Sequence, residues 1–373
     1  MASEANTSTA VNFEVSIGGT KVEGTDVMLI VVDDDLDQPK MCLVTLKNPT
    51  NKFNEKFKPG DAVEIKLGGG TRRSAEGTGS GDLGSVFKGE VVGVEASYRQ
   101  GGQPKLSVRA FDKLHRLTRG KKSKTYQKQT DQDIASSIAG QAGLSAQCGS
   151  TPKIKHEHVY QHNQDNLSFL RTRAARLGYS IWVDDTKMYF DAPKLDQDSG
   201  LEFVLEQQPK SGGCSDKLKS FDARLNNAQV VKKVTVRGWD PEKKQEVVGE
   251  AQAAGSKLGS KNAASSLSDF GEIETYAVDR PVASVEEAKA IAKSILDEAS
   301  LGYLTAQAEV MGNNKLKAGI VIKIKVNFDK TDDRFNGKYL VRGCTHRYSA
   351  DNKGSEGGYA CFLRLARDAE KGS

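Results

Sequence analysis

The sequence has no apolar segment long enough to cross a membrane as a helix. A spanning helix needs about 20 largely apolar residues, and no apolar run here reaches about 18. The first residues, Met-Ala-Ser-Glu-Ala-Asn, also lack the basic stretch followed by an apolar stretch that marks a secretory signal peptide. We therefore expect a chain that is made and assembled in the cytoplasm, and that reaches any site outside the cell by another route.

Cysteine is scarce and widely spaced. The chain has five cysteines in 373 residues and no Cys-x-x-Cys pair. They are Cys42, Cys148, Cys214, Cys344 and Cys361. An odd number at this spacing predicts neither a disulfide framework nor a zinc site. It is typical of a protein that folds in a reducing compartment.

Motifs of the common catalytic classes are absent as well. There is no Gly-x-Ser-x-Gly elbow and no papain-like or caspase-like cysteine signature. The glycine-rich segment 68–84 is not followed by Gly-Lys-Ser or Gly-Lys-Thr, so it indicates a loop between two strands rather than a phosphate-binding loop. We expect no catalytic residue and no cofactor. A pair of carboxylates that folding brings together, as in a glycoside hydrolase, stays open.

Two groups of candidate metal ligands have unsuitable spacing. In the acidic group, a calcium-binding EF-hand would need a glycine and a glutamate where Gln38 and Val44 stand, so this group predicts an acidic turn between strands. The histidine group has no cysteine nearby and runs up to a predicted helix, which does not suit a zinc site. We expect no metal site. The two groups are Asp33, Asp34, Asp35 and Asp37, and His156, His158 and His162.

Charged residues are unevenly distributed along the chain. The net charge of +5, from 54 Lys and Arg against 49 Asp and Glu, does not by itself indicate nucleic acid binding. Residues 22–39 hold six acids and no Lys or Arg, whereas residues 99–128 hold ten Lys or Arg and one acid. These segments indicate either two solvated faces or surfaces that pack against partners or copies of the chain. Binding of phosphates by the basic stretch 113–128 stays an alternative, although few aromatic residues accompany it.

The N-terminal third reads as β-strands. A chain of 373 residues with 37% hydrophobic residues is long enough for several cored domains. Apolar and polar residues alternate from Val11 to Ile17, as in a half-buried strand. Residues 86–98 predict a long strand interrupted by Gly89 and Gly93, which suits a bulge, and residues 98–103 predict a hairpin turn. Residues 1–118 therefore predict an antiparallel barrel or sandwich.

The next segments mix helices and strands. Residues 119–200 predict a small α+β unit, in which Thr130 caps one helix and a second helix over 166–177 ends at Gly178. Residues 201–280 predict a β-rich connector, with a linker or surface excursion over 249–271. In residues 281–373, a full capping box from Ser284 to Glu287 begins a helix, and β-strands follow. The predicted fold class is α+β, mainly β.

One segment resembles the signature of a known family. Residues 160–170, Tyr-Gln-His-Asn-Gln-Asp-Asn-Leu-Ser-Phe-Leu, followed by Arg-Ala-Ala-Arg-Leu-Gly-Tyr at 173–179, are similar to the motif of phage late control D proteins and of the hub portion of VgrG proteins. Segments 87–117, 126–138 and 338–359 resemble flanking parts of this family in the same order. We expect the motif residues to mark the fold rather than an active site. They are Tyr160, Gln161, Asn163, Asp165, Leu167, Phe169, Leu170 and Gly178.

The resemblance implies a trimeric, non-enzymatic baseplate hub of a phage tail or contractile injection system. In this family each subunit contributes two tube-like antiparallel β-barrel domains, which here would be residues 1–118 and a barrel completed by residues 281–373. Three subunits then form a pseudo-six-fold ring between a hexameric tail tube and a three-fold spike. The implied partners are copies of the chain, a spike protein, a tube or tube-initiator protein and other baseplate proteins, without direct nucleic acid contact or membrane insertion.

The chain departs from VgrG proteins in one respect. Those proteins continue past the hub into an OB-fold and a β-helical spike, whereas this sequence ends at Ser373, so we expect the spike to be a separate polypeptide. The alternatives are a VgrG-like effector carrier, a basic nucleic-acid-binding protein and a tail-associated cell-wall hydrolase. The kind of phage tail or tail-like particle stays open.

Overall fold

The computed structural model describes residues 11–68, 82–150, 152–205, 218–271, 273–278, 281–326, 333–350 and 358–370. These residues are mainly β, as predicted, with 23 strands and three α-helices. Helices that are both long and apolar enough to span a membrane do not occur in these ranges. Cys214 and residues 69–81 of the predicted loop lie outside them.

Seven strands form the N-terminal half of the main sheet. Their order is β3-β4-β7-β6-β5-β1-β2, with all neighbours antiparallel. The predicted first strand and the long strand are confirmed, and the long strand carries an irregularity between Val91 and Gly93. The strands are β1 (Phe13–Ile17), β2 (Thr20–Val22), β3 (Val27–Asp35), β4 (Met41–Lys47), β5 (Ala62–Gly68), β6 (Leu83–Ser97) and β7 (Lys105–Phe111).

The middle of the chain forms two helices and two small sheets. Both predicted helices are confirmed, and an antiparallel hairpin, β11–β12, follows the second. Thr130 and Asp133 exchange side-chain to backbone hydrogen bonds as a capping box. The sheets are an antiparallel β8–β10 pair and a β11-β12-β9 sheet in which β9 is parallel to β12. The elements are β8 (Lys122–Thr130), α1 (Asp131–Gln141), β9 (Ser145–Cys148), β10 (Lys155–Gln164), α2 (Asn166–Leu177), β11 (Ser180–Asp184) and β12 (Lys187–Asp191).

The C-terminal part adds six strands to the main sheet and a smaller layer beside it. In the smaller layer, β15, β16 and β18 form a sheet on which α3 packs. The strands are β13 (Asp198–Val204), β14 (Leu218–Leu225), β15 (Lys233–Asp240), β16 (Gln245–Gln252), β17 (Lys261–Asn262), β18 (Glu274–Ala277), β19 (Leu304–Met311), β20 (Val321–Lys325), β21 (Gly337–Ser349), β22 (Gly358–Arg367) and β23 (Ala369–Glu370), and the helix is α3 (Val285–Leu301). Helix α3 therefore shares a core with residues 231–277, across the predicted boundary at residue 280.

The capping box predicted at the start of α3 is only half formed. The Ser284 side chain accepts a hydrogen bond from the Glu287 backbone N–H at 3.1 Å. The Glu287 carboxylate instead accepts from the Ala283 backbone N–H at 3.2 Å and from Arg176. A tertiary ion pair thus competes with the local capping bond that the sequence pattern predicted.

Residues 249–271 are not the linker or surface excursion that their composition predicted. The segment begins inside β16, contains β17 and continues as a 3-10 helix over Ala263–Phe270. Leu258, Ala263 and Leu267 are at most 1% exposed. These three apolar residues reach the interior, although the stretch as a whole is rich in small and polar residues.

The pairing of β3 with β21 joins the two halves into one 13-stranded sheet. The register runs from Leu29 opposite Ser349 to Asp35 opposite Gly343. The predicted acidic turn is therefore wrong for Asp33, Asp34 and Asp35, which extend β3, because β21 provides a partner for their backbone groups. Asp37 does lie in the turn, with φ of 65°. One pair in this sheet, β13 with β20, is parallel rather than antiparallel.

Candidate functional site around the motif helix

The first part of the family motif lies on β10, and Gln161 is its fully buried residue. The Gln161 amide donates to the Gln164 carbonyl oxygen at 3.0 Å and to the Asn166 side-chain oxygen at 3.2 Å. The Gln161 side-chain oxygen Oε1 accepts a hydrogen bond from the Tyr126 hydroxyl at 3.3 Å. The β8–β10 register shifts between Gln161 and Gln164, and these bonds satisfy polar groups that the irregularity leaves inside the protein.

Two other motif residues on β10 face solvent. Tyr160 is 52% exposed, and its ring lies 5.5 Å from the His162 ring. Asn163 has φ of 45°, and its backbone N–H donates to the Ser123 hydroxyl at 3.2 Å. Asparagine tolerates this left-handed conformation better than most residues. Asn163 therefore shapes the irregular end of the strand.

The second part of the motif builds α2. Asp165 caps the helix by accepting hydrogen bonds from the Ser168 backbone N–H at 2.8 Å and hydroxyl at 2.7 Å. The apolar motif residues Leu167, Phe169 and Leu170 are at most 3% exposed. The Phe169 ring stacks on Tyr126 at 5.7 Å, which connects the helix to the buried Gln161 cluster. Gly178 ends the helix with φ of 69°, a conformation that glycine adopts without steric cost.

Helix α2 also carries a buried ion pair to α1. Arg173 Nε lies 2.5 Å from Asp131 Oδ1, and the side chain of Asp131 is 2% exposed. The His156 ring nitrogen Nε2 lies 3.1 Å from the second oxygen of Asp131. Burial alone would raise the pKa of Asp131, but hydrogen bonds from His156 and Arg173 hold this pKa below its usual range. The ionised carboxylate therefore stabilises the fold.

A second buried ion pair connects α2 to α3. Arg176 Nη2 donates to Glu287 Oε1 at 2.6 Å and to the Pro281 carbonyl oxygen at 2.7 Å. The Ser294 hydroxyl of α3 donates to the Ala175 carbonyl oxygen of α2 at 2.6 Å. Buried pairs of this kind are costly to break, because removing one partner leaves a charge in the interior. The motif helix α2 is thus fixed both to α1 and to α3.

The three candidate histidines are not brought together. His156 belongs to the Asp131 ion pair, whereas His158 and His162 are exposed on β10. Among the described residues these histidines form no group with metal-ligand spacing.

Both charged segments are partly neutralised within the chain. Asp34 pairs with Lys40 at 2.9 Å, and the predicted turn residue Asp37 accepts the Ile181 backbone N–H at 2.7 Å, which attaches the β11–β12 hairpin to the main sheet. In the basic segment, Arg116 forms an ion pair with Glu90. Other pairs that involve these segments, among the described residues, include Asp26–Lys52, Asp35–Arg364, Arg109–Glu95 and Lys113–Asp185.

A cleft of about 590 Å³ lies between the main sheet and the β11–β12 hairpin. Trp182 and Tyr189 contribute to its wall, and their rings stack at 4.9 Å. Asp112 also lines it, and burial raises the pKa of Asp112 to about 7. Since Asp112 accepts the Leu114 backbone N–H at 3.0 Å, its placement is explained by capping of a 3-10 helix.

One cluster was missed by the sequence reasoning. Cys344, His346 and Cys361 lie together inside the C-terminal half, with candidate ligand atoms within 4.8 Å of one another. The search for Cys-x-x-Cys overlooked the Cys-x-His spacing at 344–346. Residues two apart on a strand share one face of a sheet. The third ligand comes from the neighbouring strand, and only the pairing register brings it close.

The fold described above is that of known phage tail proteins. The 43 kDa tail protein of prophage MuSo2 from Shewanella oneidensis has a TM-score of 0.66 at 13% identity, over 96% of this chain and 99% of that protein. A tail protein from Neisseria meningitidis MC58 has a TM-score of 0.67 at 12% identity, over 96% and 97%. An E. coli component of the type VI secretion system, with structural similarity to T4 tail proteins gp27 and gp5, has a TM-score of 0.58 at 13% identity, over 96% and 79%.

At these identities the similarity shows the fold. A family model described as the Alg8 N-terminal domain matches residues 7–350, and the chain belongs to this family. The description names a domain and states no activity, and it is not one of the family names that the motif predicted. No curated protein matches the sequence.

Proposed function

We propose that this chain is a structural, non-enzymatic baseplate hub of a phage tail or contractile injection system, which joins a hexameric tail tube to a trimeric spike. Its partners would be two further copies of itself, a spike protein, a tube or tube-initiator protein and other baseplate proteins. The particle would assemble in the cytoplasm and act as a virion or as an extracellular device. The likeness of the whole fold to phage tail proteins carries this proposal.

The number of strands in each half of the main sheet supports the proposed match between a hexameric tube and a trimeric spike. Seven of its strands come from residues 13–111, and six come from residues 198–367. Two β-rich units of similar strand number in each chain would give six units in a trimer. Such a ring could contact a hexameric tube on one side and keep three-fold symmetry on the other. We propose that these two units are the tube-like domains that the late control D resemblance implies.

The motif helix supports a role in transmitting force. Its ion pair with α3 connects the middle unit to the layer beside the C-terminal half, and its ion pair with α1 holds the helix within the middle unit. Asp37 connects the same middle unit to the N-terminal half. Because a buried ion pair is costly to break, we propose that the motif helix holds the units in one arrangement within the ring.

The association state tests this proposal. Light scattering of the purified chain, alone and mixed with the candidate spike and tube proteins, should give either a trimer or a monomer that the spike converts to a complex of three chains with one trimeric spike. Mixtures with an unrelated trimeric β-helical protein provide the control. A monomer that binds neither protein would overturn the hub proposal.

Three alternatives predict different outcomes. A VgrG-like effector carrier, suggested by the likeness to the E. coli type VI component, would bind a toxin rather than a separate spike in the same mixtures. For a hydrolase that uses the cleft lined by Asp112, the purified chain should release fragments from peptidoglycan in a manner abolished by Asp112→Asn. We expect no release, and we expect no steeply salt-dependent binding to DNA, which would indicate the nucleic-acid alternative.

A further inference from the structure

Three potential metal ligands meet on one face of the hairpin formed by β21 and β22. Cys344 and His346 are two residues apart on β21 and therefore point to the same side of the sheet. Cys361 on β22 stands directly opposite His346 in the register, so it shares that side. All three side chains are at most 2% exposed.

Their distances suit a small tetrahedral site. The Cys361 sulfur lies 3.3 Å from His346 Nδ1, and the Cys344 sulfur lies 3.5 Å from His346 Nε2. Bonds of about 2.3 Å to sulfur and about 2.0 Å to nitrogen place tetrahedral zinc ligands roughly 3.5 Å apart. Since the candidate ligand atoms lie within 4.8 Å of one another, a movement of the Cys344 side chain toward Nδ1 would allow both sulfurs and that nitrogen to contact one ion.

The surroundings of His346 favour Nδ1 as the ligand atom. His346 Nε2 lies 3.1 Å from the Leu316 carbonyl oxygen, which can only accept a hydrogen bond, so Nε2 carries the proton. Metal-bound imidazoles usually donate their second N–H to a carbonyl or carboxylate in this way. The remaining lone pair on Nδ1 faces the Cys361 sulfur and the Tyr359 hydroxyl, which lies 2.7 Å away.

The ligand set is also balanced in charge. Two thiolates and a neutral imidazole compensate a divalent ion, so a loaded site places no net charge in the interior. The Asn313 backbone N–H, 3.5 Å from the Cys361 sulfur, would stabilise a thiolate there. Thiolate and imidazole together select Zn²⁺ or Cu⁺ over the hard ions Mg²⁺ and Ca²⁺.

We propose that Cys344, His346 and Cys361 bind a thiophilic metal ion, in the first place Zn²⁺, as a structural site, with Tyr359 as the nearest group for a fourth position. The site would fix β21 and β22 to the β19–β20 loop that contains Leu316. That loop also reaches the N-terminal half, because Asn314 Nδ2 donates to the Leu67 carbonyl oxygen at 2.7 Å. The ion would therefore stabilise the contact between the two halves of the sheet. This proposal does not depend on the hub function.

Metal analysis of the untagged chain, purified with a reductant and without chelators, tests the proposal. We expect one zinc ion per chain by mass spectrometry of the elements. After removal of zinc, added Co²⁺ should give the intense visible absorption of a tetrahedral site and the near-ultraviolet band of thiolate ligation. Cys344→Ser and Cys361→Ser should both lose the zinc and weaken the cobalt bands.

Cys42→Ser is the matched control, because Cys42 is equally buried in β4 of the same main sheet and should keep the full metal content. The wild-type chain decides the question even if a variant fails to fold. A folded wild-type chain with neither zinc nor cobalt bands would overturn the proposal. Metal content unchanged in the folded serine variants would place the ion elsewhere. A mass of the intact wild-type chain two hydrogens below that of the reduced sequence would indicate a disulfide between these cysteines instead of a metal site.

Discussion

The two halves of the main sheet are stabilised in different ways. In β1–β7, none of the polar or charged side chains that the structure describes is buried. In the C-terminal half, Arg367 is fully buried, and its guanidinium donates to the Asn336 carbonyl oxygen at 2.8 Å and lies 5.3 Å from the Tyr339 ring. Glu370 is buried beside the Tyr303 hydroxyl. The strands of the N-terminal half thus bury apolar side chains, and the buried polar residues of that half, such as Asn48 and Asp112, lie outside its strands. The C-terminal half encloses charged side chains as well.

This difference changes which substitutions each half should tolerate. An apolar core loses stability in proportion to the volume removed, since the surrounding side chains relax only partly. A polar core loses most when one partner remains without the other, because the orphaned group has been withdrawn from water. Substitutions in the two halves therefore separate loss of apolar volume from loss of a polar partner.

The largest loss should follow truncation in the apolar half. Leu46 is fully buried in β4, and Leu46→Ala should lower the free energy of unfolding by about 2 to 5 kcal/mol through lost burial and a residual cavity. Chemical denaturation followed by circular dichroism measures the change. Glu95→Ala on β6, where the side chain is largely exposed, should change stability by less than about 1 kcal/mol. Equal effects of the two variants would contradict a cavity as the cause.

A pH-dependent effect should come from Asp112, at the end of the N-terminal half. Burial raises the pKa of this carboxyl from 3.8 to about 7, so the folded chain keeps a proton that the unfolded chain releases between those values. Ionisation of Asp112 therefore lowers stability progressively as the pH rises through this window. Asp112→Asn removes this loss, so the variant should gain stability relative to wild type between about pH 4 and about pH 7.

Asp131→Asn is a control that should show the opposite dependence of stability on pH. The pKa of Asp131 is lowered, which means that its ionised form contributes stability that is lost as the pH falls through the folded pKa. Relative to wild type, Asp131→Asn should therefore become less stable as the pH rises. Denaturation curves at several pH values measure both trends, and slopes of the same sign for the two variants would refute the assignment.

In the C-terminal half, loss of a single hydroxyl should be costly where its partner is charged. Tyr303 is 1% exposed and donates to the Glu370 carboxylate, so Tyr303→Phe should cost about 1 to 3 kcal/mol. Tyr126→Phe is the control, because that buried hydroxyl donates to the neutral side-chain oxygen of Gln161 at 3.3 Å and should cost about 1 kcal/mol. A larger loss for Tyr126→Phe would mean that the Glu370 contact contributes little.

The same contrast explains how much the sequence could predict. Alternation of apolar residues predicted β1, and the Thr130 and Gly178 caps predicted the ends of α1 and α2, because these signals are local. The Ser284 capping box formed only in half, because the Glu287 carboxylate pairs with a residue 111 positions away. The Cys344 cluster and the β3–β21 pairing likewise depend on contacts between distant segments, which no local pattern specifies. The resemblance of the motif to a known family predicted a phage tail fold, which hydrophobic periodicity alone left open.

The smallest effect should arise where the two halves meet. Asn314 donates to the carbonyl oxygens of Leu67 and Asp82, both at 2.7 Å, and so joins the β19–β20 loop to the ends of β5 and β6. Asn314→Ala should lower overall stability by about 1 kcal/mol, since two neutral hydrogen bonds are exchanged for bonds to water. Lys315→Ala, at the next and exposed position, should leave stability unchanged.

Hydrogen exchange can separate a local effect of Asn314→Ala from a global one. If the loop only links two independently stable halves, amides near Gly68 and Leu83 should exchange faster, while amides in the centres of β4 and β22 keep their protection. If the link also makes the halves unfold together, denaturation of the variant should broaden into two transitions. Unchanged exchange at the ends of β5 and β6 would show that Asn314 does not hold the two halves together, and that other contacts, among them the β3–β21 pairing, do so.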